Sequence, residues 1–347
     1  IRYYSGRSPL EAVSMGIGMD DSDVAYRCNL VTLSGGAGEP FAERTMIDHS
    51  ADEIDSETAA RLIGAVASEL ARPGLRFHPG RSYRHLMIWQ EGPEDIRLTP
   101  PHDILTQAIA PYLPSGDRDA EVLALMDAGA RILQDHPLNR ERVAAGLRPA
   151  NAIWIWGQGR KPRLPRLAEG LGLSGSVIAA VDLIQGLGIC AGLRVVEVPG
   201  ATGTLHTDYS AKARAAMAEL AAGQDYVYLH VEAPDECGHR AEAGNKVLAI
   251  ERIDERILGP LAAFLDEWER QHGVPYRILF LPDHPTPVSL RTHTRDPVPF
   301  VLYSSDGEYG EAGPHPADAY DEASCAGTGF VVEEGYRLFS LFTAPPV

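Results

Sequence analysis

Apolar and polar positions follow two different rhythms along this chain. In the first half, β-rich runs at residues 26–33 and 84–89 are set among polar, turn-rich stretches. Residues 56–71 and 117–133 repeat their apolar positions at helical spacing, and the second stretch should stop before His136-Pro137, because the residue preceding a proline is pushed out of the helical region. These signals predict a compact α+β unit. Further on, short apolar runs at 152–156, 176–180, 193–198, 226–231, 277–281 and 299–303 read as buried strands, with helical stretches at 209–222 and 246–271 among them. Strands alternating with helices predict an α/β fold with a largely parallel sheet covered on both faces, and ligands at the carboxyl ends of its strands. The glycine-rich run at 34–38 reads as a flexible hairpin loop and the tail 344–347 as frayed.

A chain of 347 residues with 44% hydrophobic content can build roughly two domains. Its longest apolar candidate, at 178–193, is interrupted by Asp182, Gln185 and several glycines, so no membrane span is expected. A formal net charge of -17 argues against a nucleic-acid partner and leaves room for a local anion site built from arginines. Cys28, Cys190, Cys237 and Cys325 stand far apart without a CxxC pair, which suits a reducing cytoplasm better than a disulfide scaffold. The chain opens at Ile1 without a methionine, within sequence that reads as ordered, so a preceding segment is expected.

Two segments carry the chemistry. His230-Val231-Glu232-Ala233-Pro234-Asp235-Glu236-Cys237-Gly238-His239 follows the strand at 226–231 and offers a carboxylate and an imidazole four residues apart. Taken alone, such a pair suits an ordinary surface loop as well as a metal. The second segment, after the strand at 277–281, adds Asp283, His284 and, further along, His293. Five ligand-type side chains just beyond two sheet strands point to a divalent-metal centre.

"HVEAPDECGH", "LPDHPTPV" and "HTRDPVPFVLY" resemble the metal segments of the archaeal-type cofactor-independent phosphoglycerate mutases, in the alkaline phosphatase superfamily. The resemblance extends through "YYSGRSPLEAVSMGI", "DVAYRCNLVT", "HPGRSYRHLM", "PPHDI", "HPLNRERVAAGLRPANAIWIWGQG" and "VDLIQGLGICAGLRVVEVPGATG", and so covers nearly the whole chain. It implies an alkaline-phosphatase-like domain over residues 1–10 and 149–347, with a substrate-binding α+β cap inserted at 11–148. The implied reaction interconverts 3- and 2-phosphoglycerate through a phosphoserine, without 2,3-bisphosphoglycerate. Two divalent cations are implied, Mn2+ first, with Zn2+, Co2+ or Mg2+ as alternatives. Asp235, His239 and His293 match the ligands of one cation, and Asp283 and His284 match part of the set for the other.

The family completes that second set with an aspartate and the nucleophilic serine, both placed ahead of the equivalent of "YYSGRSPLEA". Ser5 and Ser8 lie after that point, and no nucleophile is assigned in this chain. Arg27, Asn29, Arg84 and His85 are expected to hold the phosphorylated substrate, since the guanidinium fork matches carboxylate and phosphate; a structural salt bridge is the alternative. His102 and Asp103 read either as an acid/base pair or as a capped turn. Trp154 and Trp156 are expected to pack opposite sides of a strand, with Trp154 in the core. Gln185 stands where the family often has Lys, Pro285 where Ser is common and Cys237 where Ala is common, departures that bear on substrate choice. The same resemblance leaves two alternatives: a phosphotransferase related to homoserine kinases, and an inactive relative that binds metal or a phosphometabolite.

Overall fold

The computed structural model describes residues 6–36, 38–307 and 317–343; Ser5, Ala37 and the tail 344–347 lie outside them. The fold is mixed α/β and divides into two compact units, Ile1–Leu173 with Asp182–Arg194, and Ser174–Val181 with Val195–Val347.

The first unit contains α1 (Ser8–Ser14), β1 (Asp23–Leu33), β2 (Met46–Asp48), α2 (Ser56–Leu70), β3 (Leu75–His78) and β4 (Arg84–Gln90). It continues with β5 (Ile96–Arg97), β6 (Ser115–Gly116), α3 (Asp119–Gln134), α4 (Pro137–Ala144), β7 (Ala152–Arg160), α5 (Leu167–Leu171) and α6 (Asp182–Cys190). Its main sheet runs β2-β1-β4-β3, with β7 also paired to β1. All of these pairings are antiparallel, β1 meeting β4 from Asp23↔Gln90 to Asn29↔Arg84 and β7 from Val31↔Ala152 onward. Strand β1 is buried along its whole length except at Arg27, as a central strand covered on both faces must be. Helices α2 and α3 contribute Leu62, Ile63, Val66, Val122, Met126 and Leu133 to the core on one face. Asp55 caps α2 by accepting the Thr58 N–H at 2.8 Å, and Gly129 lets α3 lie so close to β7 that an added Cβ would sit 2.5 Å from Ile153 Cγ1.

The apolar run at 152–156, grouped by its pattern with the later strands, is therefore the start of β7 and belongs to the antiparallel sheet. A short apolar run reveals burial but neither direction nor partner. The residue 148/149 boundary accordingly falls within the first unit, just ahead of β7. Trp154 and Trp156 both pack against the same core, not on opposite sides, because residues two apart in a strand share a face.

The second unit contains β8 (Gly175–Ile178), β9 (Arg194–Val195), which leads the chain back into it, α7 (Tyr209–Ala221), β10 (Tyr226–Leu229) and α8 (Ala233–His239). Next come α9 (Ala243–Ile253), a π-turn over Asp254–Leu258 and α10 (Gly259–His272), so the helical stretch at 246–271 is one run with a wide turn inside it. The chain ends with β11 (Arg277–Phe280), β12 (Val301–Ser304), α11 (Glu322–Gly327) and α12 (Tyr336–Thr343). Strand β10 runs parallel to β8 from Tyr226↔Gly175 to Leu229↔Ile178, within a sheet ordered β10-β8-β9, and β11 pairs antiparallel with β12. The described sheets are thus mostly antiparallel, not the largely parallel arrangement that strand and helix alternation predicted. No helix of the described residues is long and apolar enough to cross a membrane.

Candidate metal centre

The site grows from the carboxyl end of β10. His230 N–H still bonds to Ile178 O at 2.9 Å, and the chain then turns into α8. Asp235 lies in the first turn of that helix and His239 in its last, four residues apart and so on one face. The opposite face carries Ala233 and Cys237, both fully buried with Tyr209, Ala213, Ala249 and Ile257, and this packing fixes the rotation of the helix. Beyond β11 the chain delivers Asp283 and His284, then folds back on itself. Arg291 N bonds to Pro287 O at 2.8 Å and Thr294 N to Pro285 O at 3.1 Å, which returns His293 to His284 with ring centroids 3.8 Å apart.

The two segments converge on each other. His239 Nε2 lies 3.0 Å from His293 Nε2 and 3.4 Å from Asp235 Oδ2, and His293 Nε2 lies 3.4 Å from Asp235 Oδ1. Ligand atoms of Asp235, His284 and His293 fall within 4.8 Å of one another. Asp283 Oδ2 approaches His284 Nε2 at 3.2 Å. Asp235, His239, His284 and His293 are therefore brought together, Asp283 stands beside its neighbour His284, and His284 lies closer to the Asp235 and His293 pair than the division into two sets implied. Carboxylate oxygens and imidazole nitrogens on partly open side chains are a donor set for a divalent cation of the Mn2+ to Zn2+ range, so the residues fit such an ion.

Polar groups behind the donors complete the centre. Thr286, 3% exposed, donates its hydroxyl to Asp235 Oδ1, and its Oγ1 lies 3.4 Å from His284 Nδ1. Lys246 Nζ donates to the Thr286 carbonyl at 2.7 Å. Lys212, on the buried face of α7, donates to the carbonyl of His230 at 3.0 Å. Burial draws the Lys212 ammonium down to about 8, with Glu232 acting in the opposite direction. Burial also lowers His230, against the pull of Asp283 and Asp235. Neither Lys212 nor Thr286 was singled out in the sequence; Thr286 stood in plain view within "LPDHPTPV".

The six residues expected to meet the substrate lie in the first unit, and three of them gather around Trp156. The Arg27 guanidinium stacks 4.8 Å from the Trp156 ring, His102 meets it edge-on at 5.5 Å, and Trp156 Nε1 donates to Asn29 Oδ1 at 3.2 Å. Arg27 also spends its fork on Glu11, a structural ion pair of low exposure. Arg84 is exposed above Tyr83, with its guanidinium 5.6 Å from the ring. His102 and Asp103 form an exposed pair at 3.5 Å. His85 is 1% exposed, accepts the Gly80 N–H at Nδ1, and burial pulls its imidazole down to about 4.

Comparison with known proteins adds a second kind of observation. The model of a family described as 2,3-bisphosphoglycerate-independent phosphoglycerate mutase matches residues 1–139. A probable 2,3-bisphosphoglycerate-independent phosphoglycerate mutase of Geobacter sulfurreducens is 46% identical over 339 residues, covering 97% of this chain and 81% of its own. A 2,3-bisphosphoglycerate-independent phosphoglycerate mutase of Methanothrix thermoacetophila is 45% identical over 344 residues, covering 99% and 82%. Among solved structures, a cofactor-independent phosphoglycerate mutase from Thermoplasma acidophilum shares the fold with a TM-score of 0.63 at 23% identity, over 98% of this chain and 81% of that one.

Proposed function

Because this chain belongs to the 2,3-bisphosphoglycerate-independent phosphoglycerate mutase family, we propose that it interconverts 3- and 2-phosphoglycerate, with two divalent cations, Mn2+ foremost, held by Asp235, His239, Asp283, His284 and His293. The observation that carries this reading is the convergence of those side chains from two segments far apart in sequence. Bound there, a pair of cations supplies positive charge at the attacking and leaving oxygens of phosphoryl transfer. The chain's own part is to hold the donors in place: the apolar anchoring of α8 sets Asp235 and His239, and the closed 285–294 loop sets His293.

Within the first unit, exposed Arg84, His102 and Asp103 are the groups we assign to the phosphorylated substrate. Arg27 and Asn29 hold Trp156 beside His102, and buried His85 supports the sheet. The parallel β8 and β10 pair is read as part of an alkaline-phosphatase-like sheet, with the first unit bearing the cap. The free cysteines, three of them buried, suit a cytoplasmic setting.

An enolase-coupled assay tests the reading on the protein as its gene encodes it. The protein is stripped with EDTA and resupplied with Mn2+, without 2,3-bisphosphoglycerate. Metal-dependent conversion of 3-phosphoglycerate is the expected result. ATP-dependent phosphorylation of homoserine without mutase turnover would overturn it.

A further inference from the structure

We infer that Thr286 is a positioning residue that ties the two metal-bearing segments together through its hydroxyl and fixes His284 with its proton on Nδ1. A carboxylate accepts hydrogen bonds and donates none, so the Thr286 hydroxyl proton points to Asp235 Oδ1. The oxygen then faces His284 Nδ1 at 3.4 Å with a lone pair, a contact that only a protonated Nδ1 can use. One hydroxyl therefore links Asp235, carried by α8, to His284, carried by the loop after β11.

With the ring held in this way, Nε2 of His284 is aimed toward Asp283 Oδ2, 3.2 Å away. The relay thereby places the two donors side by side for one cation. Three anchors keep the relay in register. Thr286 is 3% exposed, its carbonyl accepts from Lys246 Nζ at 2.7 Å, and Gly238 of α8 packs so tightly against it that a Cβ there would lie 2.4 Å from the Thr286 carbonyl oxygen. Groups of this kind orient a histidine ligand and set its tautomer, and their loss weakens metal binding by about 10–100-fold.

The inference rests on the cation reading above, and the test separates the two. Thr286→Val keeps the volume and removes the hydroxyl, Thr286→Ser restores it, and Asp235→Asn controls for the metal site itself. Manganese binding is followed by the EPR signal of free hydrated Mn2+, with circular dichroism reporting folding. Thr286→Val should bind Mn2+ at least about tenfold more weakly, and Thr286→Ser within about threefold of the parent.

Thr286→Ala serves in place of Thr286→Val should the valine variant misfold. Unchanged Mn2+ affinity in Thr286→Val, with binding lost in Asp235→Asn, overturns the inference and leaves the metal centre standing. Binding unchanged in both variants removes the metal centre and the inference together.

Discussion

Gly238→Ala isolates the packing that holds α8, which carries Asp235 and His239, against its partner loop. Alanine is the better helix former, so at a free position in α8 the change would stabilise by up to about 1 kcal/mol. Here the new Cβ would lie 2.4 Å from Thr286 O, 2.9 Å from its Cγ2 and 3.1 Å from its Cβ. Relief to ordinary contact requires the Thr286 backbone to withdraw by about 1 Å, yet the Lys246 ammonium holds its carbonyl and Asp235 holds its hydroxyl. Overpacking of this sort costs about 1–3 kcal/mol, and with a doubly tethered neighbour the upper part of that range applies. Against the propensity gain, the net loss should be about 1–2 kcal/mol in urea unfolding. The same displacement separates Asp235 from His284, so Mn2+ affinity should fall about tenfold, the equivalent of 1.4 kcal/mol. A variant as stable as the parent, binding Mn2+ equally well, would refute the reasoning.

Two pH dependences follow from buried groups. His85 stays neutral in the folded protein down to about 4 because burial disfavours its cation, whereas the unfolded chain takes up the proton near the ordinary value of 6.5. Its contribution is therefore fully present above pH 6.5 and lost as the pH falls toward 4, up to about 3 kcal/mol, and His85→Gln should flatten that part of the acid unfolding profile. Lys212 gives the alkaline counterpart. Its folded value of about 8 lies below the ordinary 10.5, so the parent should gain stability, up to about 3 kcal/mol, as the pH rises from 8 toward 10.5. Urea midpoints across that range should show the gain in the parent and not in Lys212→Met; parallel profiles would contradict it.

The proposed ligands were legible because metal chemistry restricts residue type. Asp235, His239, Asp283, His284 and His293 stand just beyond β10 and β11, where an open α/β sheet presents its sites, and their pattern shows on one line of sequence. Thr286 was not legible, because a hydroxyl gains its role only when the chain folds back to place it between Asp235 and His284. The Trp156 cluster was hidden for a related reason: Arg27 and Asn29 reach Trp156 and its neighbours only through the β1 and β7 pairing, and apolar patterning does not state which strands pair. Patterning located helix α2 to within a residue, since its apolar positions repeat at helical spacing from Ser56 onward. Sheet direction escaped it, because a buried antiparallel strand such as β7 reads like a parallel one.

Anomalous diffraction at the manganese edge, from crystals equilibrated with MnCl2, tests the centre most directly. The predicted result is manganese bound by Asp235, His239 and His293 at one position and by Asp283 and His284 at the other. Well-occupied manganese elsewhere, with these five side chains unligated, would contradict it.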